Sequence, residues 1–128
     1  MCYYIAIVND LLNQTKNRRF TTMKKYKMTV GLNDKNTECQ EVTTSTAKNI
    51  LANILLNDFE IYAFTMTECE GCYKMQSTGN IVFEKSIRIE IASDTDIDYK
   101  AIINSIKSAL NQESVMVEIT NNANIEFI

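Results

Sequence analysis

Several side chains in residues 71–91 could bind or transform a small polar molecule. The stretch reads GCYKMQSTGNIVFEKSIRIEI and looks like two strands joined by a turn. Its Arg88 is the only arginine after residue 19, and a guanidinium binds the paired oxygens of a phosphate or a carboxylate. Tyr73 and Lys74 near the turn could stack a base and pair with a phosphate, although such a tyrosine more often only covers its hairpin neighbours. Glu84 and other carboxylates of this segment could carry out acid–base chemistry.

The composition argues against several classes of function. The chain has 128 residues, of which 45% are hydrophobic and 23% charged, and this predicts one globular domain with a real core. Its net charge of −3 leaves no broad basic surface for DNA or RNA. No apolar run approaches the ~20 residues that span a bilayer, so no membrane partner is expected. Histidine is absent, which removes the commonest general base, and we expect a protein that is not an enzyme.

The four cysteines predict no metal site. Cys69 and Cys72 form a CxxC motif, which could be half of a zinc site or a redox pair, but Cys2 and Cys39 stand alone. No histidine is present to complete a tetrahedral site. We therefore expect free, reduced thiols, no bound metal and no cofactor.

Hydrophobic periodicity predicts the element order β-α-β-β-α-β. A period of two predicts strands at 26–32, 59–69, 81–92 and 114–120, and helical spacing predicts helices near 45–57 and 96–111. Asn121 and Asn122 are turn formers, which would let NIEFI hairpin back as a short fifth strand at the C-terminus.

The first 22 residues differ in composition from the rest of the chain. CYYIAIV is apolar and QTKNRRFTT is polar and basic, whereas Met23 opens the regular pattern. We interpret residues 1–22 as an N-terminal extension that the core fold does not need, and residues 23–128 as a single α+β domain.

The predicted fold is ferredoxin-like, with both helices on one face of an antiparallel sheet and the other face open. Alternation turns the apolar strand residues toward the helices and a polar set toward the open face. Lys85 interrupts the apolar series of its strand, and a bulge at 84–86 would resolve this. The helix-facing residues are Tyr26, Met28, Val30, Leu32, Ile87, Ile89, Ile91, Val115, Val117 and Ile119; the open-face residues are Lys27, Thr29, Thr65, Thr67, Glu84, Ser86, Arg88, Glu90, Met116 and Glu118.

The open face has three interpretations. It could be a solvated surface in which a glutamate such as Glu84 or Glu118 pairs with Lys27 or Arg88, each pair contributing ~0.2–1 kcal/mol. It could be stacked against a second copy of the chain, or it could form a pocket in which Arg88 meets an anion.

Three segments resemble one family. KYKMTVGLNDKNTECQE at 25–41, GCYKMQSTGNIVFEKSIRIEI at 71–91 and ALNQESVMVEI at 109–119 are similar to the phage and prophage proteins called Thoeris anti-defence protein one. The shared motifs are G-L-N-D and G-x-Y-K followed by E-x-S-x-R, and the resemblance covers residues 23–128.

The resemblance implies a non-catalytic sponge. Such proteins bind the cyclic ADP-ribose isomer made by Thoeris TIR-domain proteins and hold it without cleaving it, and a homo-oligomer (a dimer or higher) in the cytoplasm of the infected bacterium is implied. Our own reading of the open face and hairpin assigns the diphosphate, adenine and hydroxyls of such a ligand to six side chains. These candidate ligand-binding residues are Arg88, Tyr73, Lys74, Asn33, Thr67 and Glu84.

Three alternatives remain. A phage-encoded inhibitor of the anti-CRISPR type would bind a host defence protein through the open sheet face. A trimeric ferredoxin-like regulator would sense a nucleotide, and a small enzyme would use carboxylates.

Overall fold

The computed structural model describes residues 21–128. Four strands and two helices follow one another in the predicted order β-α-β-β-α-β, and a short π-helical segment extends the first helix. The elements are β1 (Thr21–Gly31), α1 (Thr44–Asn53), the π-helical segment (Ile54–Asp58), β2 (Thr65–Lys74), β3 (Ile81–Ser93), α2 (Tyr99–Ala109) and β4 (Met116–Ile125).

The strands form one antiparallel sheet in the order β2-β3-β1-β4. In each strand–helix–strand unit, a third strand lies between the two strands that the helix connects. β3 lies between β1 and β2, and β1 lies between β3 and β4, which is the arrangement of the split βαβ fold. The predicted ferredoxin-like α+β class is therefore confirmed.

The core lies between the sheet and the helices. Apolar side chains at every second strand position face Ala47, Leu51, Ile102 and Ile106 of the helices, all of which are at most 1% exposed. The predicted inward residues of β1 and β3 are all buried, whereas Val115, Val117 and Ile119 are partly buried beside the edge of the core. Ile50, which the helical spacing also places inward, is only partly buried.

The second strand differs from its prediction. Phe59, Ile61 and Phe64 pack against the core without joining the ladder, which begins only at Thr65. The Ile61 N–H donates to the Leu55 carbonyl over 2.8 Å, so the chain folds back on the first turn of the π-helical segment before entering β2. In this segment the apolar residues indicate that the chain is buried, but not that it pairs with the sheet.

The predicted fifth strand is replaced by an uninterrupted β4. This strand pairs with β1 as far as Ile125, and the register shifts by one residue opposite Met23 and Lys25. Asn122 has a φ of 56°, which asparagine tolerates better than most residues. The asparagines therefore form a bulge inside one strand and not a turn between two.

The predicted bulge at 84–86 is also corrected. β3 keeps a constant register with β2 and with β1 through this segment. Lys85 stays on the helix-facing side but is exposed, as is Phe83 at 68%. The helix-facing side of β3 is open to solvent at this position, beside Thr44 at the start of α1, so it needs no apolar residue at 85.

The boundary predicted at residue 22 lies inside a strand. β1 begins at Thr21, whose backbone pairs with Ile125. Residues 1–20 lie outside the described residues, and the dispensability of 1–22 stays a prediction. The helices within 21–128 are too short to span a bilayer.

Ile102→Ala should destabilise the protein strongly because the side chain is 1% exposed between α2 and the sheet. The expected loss in the free energy of unfolding is ~2–5 kcal/mol, measured by urea denaturation. Ile81→Ala, at a side chain that is 58% exposed, is the matched control and should cost well under half as much. Equal losses would contradict the assigned core.

Candidate functional site

Strand register aligns the open-face side chains in rows across the sheet. One row contains Thr65, Glu90, Lys27 and Glu118 in the order of the strands. Lys27 lies 3.9 Å from a Glu90 oxygen and 3.5 Å from a Glu118 oxygen, so this row is joined by cross-strand ion pairs. The side chains are partly solvated, which makes each pair a modest contribution to stability.

The next row has a different character. It contains Thr67, Arg88, Thr29 and Met116. Arg88 Nε and Thr29 Oγ1 are buried, and neither has a hydrogen-bond partner among the described residues. The strand register places Arg88 on the open face, as predicted. No described carboxylate forms an ion pair with it.

A groove of about 450 Å³ begins beside this row and runs toward the β2–β3 hairpin. Its floor includes Thr29, Gly31 and Ser86, and Tyr73 and Met75 contribute at the hairpin end. Small side chains in the middle of the sheet leave this space open. The loop after β1 and the segment before β4 form the remaining wall.

Glu84 lines the groove and is held in place by a backbone hydrogen bond. The Asn33 N–H donates to Glu84 Oε2 over 2.9 Å. The carboxylate lies above Gly31, where a β-carbon would come within 2.5–2.6 Å of it. Glycine at position 31 therefore gives the Glu84 carboxylate its place.

Two loops that are distant in sequence are bound together at the groove wall. The buried Gln112 side chain donates to the Asn33 carbonyl over 2.7 Å and to the Leu110 carbonyl over 3.2 Å. The Asn111 side chain donates to Asp34 Oδ2 over 2.8 Å, and the backbone carbonyl of Asn111 accepts from the Lys35 N–H. These bonds position the segment after β1 against the end of α2.

Hydrogen bonds to the Asp34 carboxyl favour its charged form. The Asn111 side chain, followed by the backbone N–H of Asn36, holds the pKa of the Asp34 carboxyl below its ordinary value of 3.8. Hydrogen bonds to the charged form of a carboxylate always act in this direction.

The groove is rich in negative charge. Four carboxylates and one lysine belong to the residues that line it. The charged lining residues are Asp34, Glu38, Glu84, Glu113 and Lys35. Such a surface attracts cations and repels phosphates.

The structure brings together half of the predicted ligand-binding residues. Asn33, Tyr73 and Glu84 all line the groove. Thr67 and Arg88 face each other across β2 and β3 in the row beside it. Lys74 follows Tyr73 on the strand, so its side chain extends from the opposite face of the hairpin.

Sequence reasoning missed the wall of the groove. Asp34, Gln112 and Glu113 line the groove but are not among the six candidate ligand-binding residues. In the predicted topology the end of β1 and the start of β4 are antiparallel neighbours, so their adjoining segments must meet. Combining topology with polar residues could have located this wall.

The CxxC residues do not converge. Cys69 pairs with Ser86 and Cys72 with Phe83, which places them on opposite faces of the hairpin. Within residues 21–128, no three cysteine, aspartate or glutamate side chains are grouped to hold a metal ion.

The chain matches no protein-family profile and no curated protein sequence. It is similar in structure to a phage SAM lyase in complex with S-methyl-5'-thioadenosine, with a TM-score of 0.58 and 19% identity over 83% of this chain and 91% of the other. The apo phage SAM lyase gives a TM-score of 0.54 and 23% identity over 83% and 90%. A Bacillus cereus protein related to NIF3 gives 0.53 and 16% identity over 93% of this chain but 33% of the other. These likenesses show the shared fold.

The two lyase structures overturn the expectation that this protein is not an enzyme. That expectation rested on the absence of histidine. The inference was wrong because a fold of this kind supports catalysis, and carboxylates or tyrosine can move protons where histidine is missing.

Asp34→Asn should reduce stability at neutral pH and leave it little changed in acid. The folded-state pKa of Asp34 lies below 3.8, so its contribution is complete above pH 3.8 and is lost as the pH falls through the folded value. Urea unfolding of both proteins between pH 7 and pH 3 should therefore show a difference that shrinks below pH 3.8.

The control is Asn111→Gly, which removes the amide donor and suits the φ of 49° at this position. The difference in stability between wild type and Asn111→Gly should also shrink below pH 3.8, but by less than the difference for Asp34→Asn. A stability difference between wild type and Asp34→Asn that stays constant with pH would contradict the hydrogen-bonded role of this carboxylate.

Proposed function

We propose that the protein is an enzyme that binds S-adenosylmethionine in the groove and cleaves it as a lyase. The observation that carries the proposal is the carboxylate-rich groove in which Glu84 is fixed near Tyr73. The phage SAM lyase, which has the same fold, supports it with a bound thioadenosine.

The charge of the groove suits this substrate. S-adenosylmethionine carries a sulfonium, an ammonium and a carboxylate, and is a net cation at neutral pH. Four groove carboxylates attract it. Tyr73 is 42% exposed and offers an aromatic face to the adenine or to the sulfonium.

Lyase chemistry on a sulfonium places modest demands on the protein. The bond between sulfur and the γ-carbon of the amino-acid chain breaks, and its electron pair stays on sulfur to give neutral S-methyl-5'-thioadenosine. As this bond breaks, either the substrate carboxylate attacks the γ-carbon and closes a lactone, or a base takes a proton from the β-carbon and a double bond forms between the β- and γ-carbons. Neither route needs water, and Glu84 is the positioned base for the second.

Charge also favours product release. Cleavage removes the positive charge from sulfur, so the attraction between the thioether product and the groove carboxylates falls. Glu84 therefore contributes more to binding of the substrate than to binding of the product. Its removal should raise the KM for S-adenosylmethionine by a larger factor than the Kd for S-methyl-5'-thioadenosine.

Sequestration of a cyclic ADP-ribose isomer, implied by the sequence resemblance, stays a prediction that the groove favours less. A diphosphate would lie among four carboxylates with one lysine to offset them. Titration with such an isomer would revive that reading if it bound more tightly than S-adenosylmethionine. The predicted homo-oligomer is compatible with either ligand.

Glu84→Gln should lower kcat/KM for S-adenosylmethionine by ~10- to 150-fold, because one charge-assisted contact is lost. Glutamine keeps an oxygen that can accept from the Asn33 N–H, so the fold should be retained. The assay is chromatography of S-methyl-5'-thioadenosine after incubation of the full chain with substrate, and the four-carbon product distinguishes the lactone from the unsaturated amino acid.

Glu118→Gln is the control, since this carboxylate lies on the same sheet face but pairs with Lys27 outside the groove. It should retain most activity. The proposal fails if the wild-type protein leaves S-adenosylmethionine intact and does not bind it.

Gly31→Ala should act on activity through Glu84. A β-carbon at position 31 would lie 2.5–2.6 Å from the Glu84 carboxylate and displace it from the Asn33 N–H. We expect kcat/KM to fall about as far as in Glu84→Gln, ~10-fold or more. Gly71→Ala is the matched control, because a β-carbon there meets nothing within 4 Å. Gly31→Ala should therefore lose more activity than Gly71→Ala. Equal activity in both would argue against the placement of Glu84.

A further inference from the structure

We propose that Arg88 and Thr29 form a carboxylate subsite at the inner end of the groove, which binds the amino-acid carboxylate of an S-adenosyl ligand. The inference rests on the proposed function and specifies which part of the ligand lies where. It starts from the two buried polar atoms in the open face, Arg88 Nε and Thr29 Oγ1, that have no hydrogen-bond partner among the described residues.

Unsatisfied buried donors of this kind are costly. Leaving a buried polar group unpaired costs ~1–3 kcal/mol, and more for a charged group. Here two such groups are direct cross-strand partners on β1 and β3. A carboxylate has two oxygens, so it could accept from the guanidinium with one or both and from the threonine hydroxyl as well.

The subsite adjoins the groove through Thr29, and Arg88 lies beside the residues that line it. Thr29 and Met116 line the groove and belong to the same row as Arg88. The next row toward the hairpin contains Ser86 paired with Gly31, above which the Glu84 carboxylate lies. Two successive rows on one face are about 7 Å apart.

This spacing fits an amino-acid chain. Three carbon atoms separate the sulfonium from the carboxylate carbon of S-adenosylmethionine. With the sulfonium beside Glu84, that chain and the contacts at its two ends cover one row spacing. The small side chain of Ser86 leaves space for it along the floor, beside the Glu84 carboxylate that lies above Gly31.

Charge separates the two ends of the groove. Four of the five charged residues that line the groove are carboxylates, whereas Arg88 forms no ion pair with any described carboxylate. A ligand with a cation and a carboxylate at opposite ends of a short chain complements this order. A cationic ligand without a carboxylate would leave Arg88 and Thr29 unsatisfied.

The test uses two ligands that the enzyme should not cleave. S-adenosylhomocysteine keeps the carboxylate and lacks the sulfonium, and S-methyl-5'-thioadenosine lacks the whole amino-acid part. Calorimetric titration of Arg88→Gln should show ~10- to 150-fold weaker binding of S-adenosylhomocysteine and unchanged binding of S-methyl-5'-thioadenosine. Arg88→Lys should recover part of the loss, because lysine keeps the charge without the fork.

Two further variants sharpen the result. Lys25→Gln removes a cation from the same sheet face near Glu90 and should leave both affinities unchanged. Thr29→Val removes the unpartnered hydroxyl at nearly constant shape, so it should weaken S-adenosylhomocysteine binding while raising the melting temperature of the free protein. A merely structural threonine would not give these opposite changes.

The outcomes separate the two proposals. If the wild type binds both ligands and Arg88→Gln binds both equally well, the carboxylate subsite is wrong and the proposed function stands. If Arg88→Gln weakens both ligands alike, Arg88 has a structural role and the subsite is again wrong. If the wild type binds neither ligand and leaves S-adenosylmethionine intact, the proposed function fails and the subsite falls with it.

Discussion

Pairing of β1 on both of its edges is the constraint on which the rest of the structure depends. Its backbone bonds β3 on one side and β4 on the other, and its alternate side chains Tyr26, Met28 and Val30 form the centre of the core. Because the side-chain period of a strand is two, burying these residues turns Lys27, Thr29 and Gly31 to the open face. A register slip by one residue would exchange the core for the groove floor.

The groove is formed where this rigid sheet ends. Gln112 and Asn111, which follow α2, bond to the segment after β1 and hold Asn33 where its N–H meets Glu84. The helix that covers the core thus also fixes a carboxylate on the far side of the sheet. Rigid positioning of this kind is what binding and catalysis require, since loosely held side chains lose the advantage in entropy.

Charge selects among the ligands that such a groove could accept. Arg88 is the only arginine after residue 19, and by itself it favours a phosphate ligand. The folded chain surrounds the adjoining space with carboxylates drawn from β3, the loop after β1 and the segment before β4. Their summed negative charge outweighs Lys35 and the adjoining Arg88, which is why we propose a cationic ligand with a terminal carboxylate and not a diphosphate.

The sequence by itself determined the element order, the ferredoxin-like class and the face on which Arg88 lies, because hydrophobic periodicity is a local property that burial imposes on every element. It misplaced β2, since Phe59 and Ile61 pack on the core without strand pairing, and it read Asn121 and Asn122 as a turn where β1 holds them in a bulge. Only the tertiary structure brought Asp34 to Asn111 and Glu84 to Asn33, across sequence separations of 77 and 51 residues. Side-chain meetings over such distances depend on strand register and loop closure, and no local pattern in the chain encodes them.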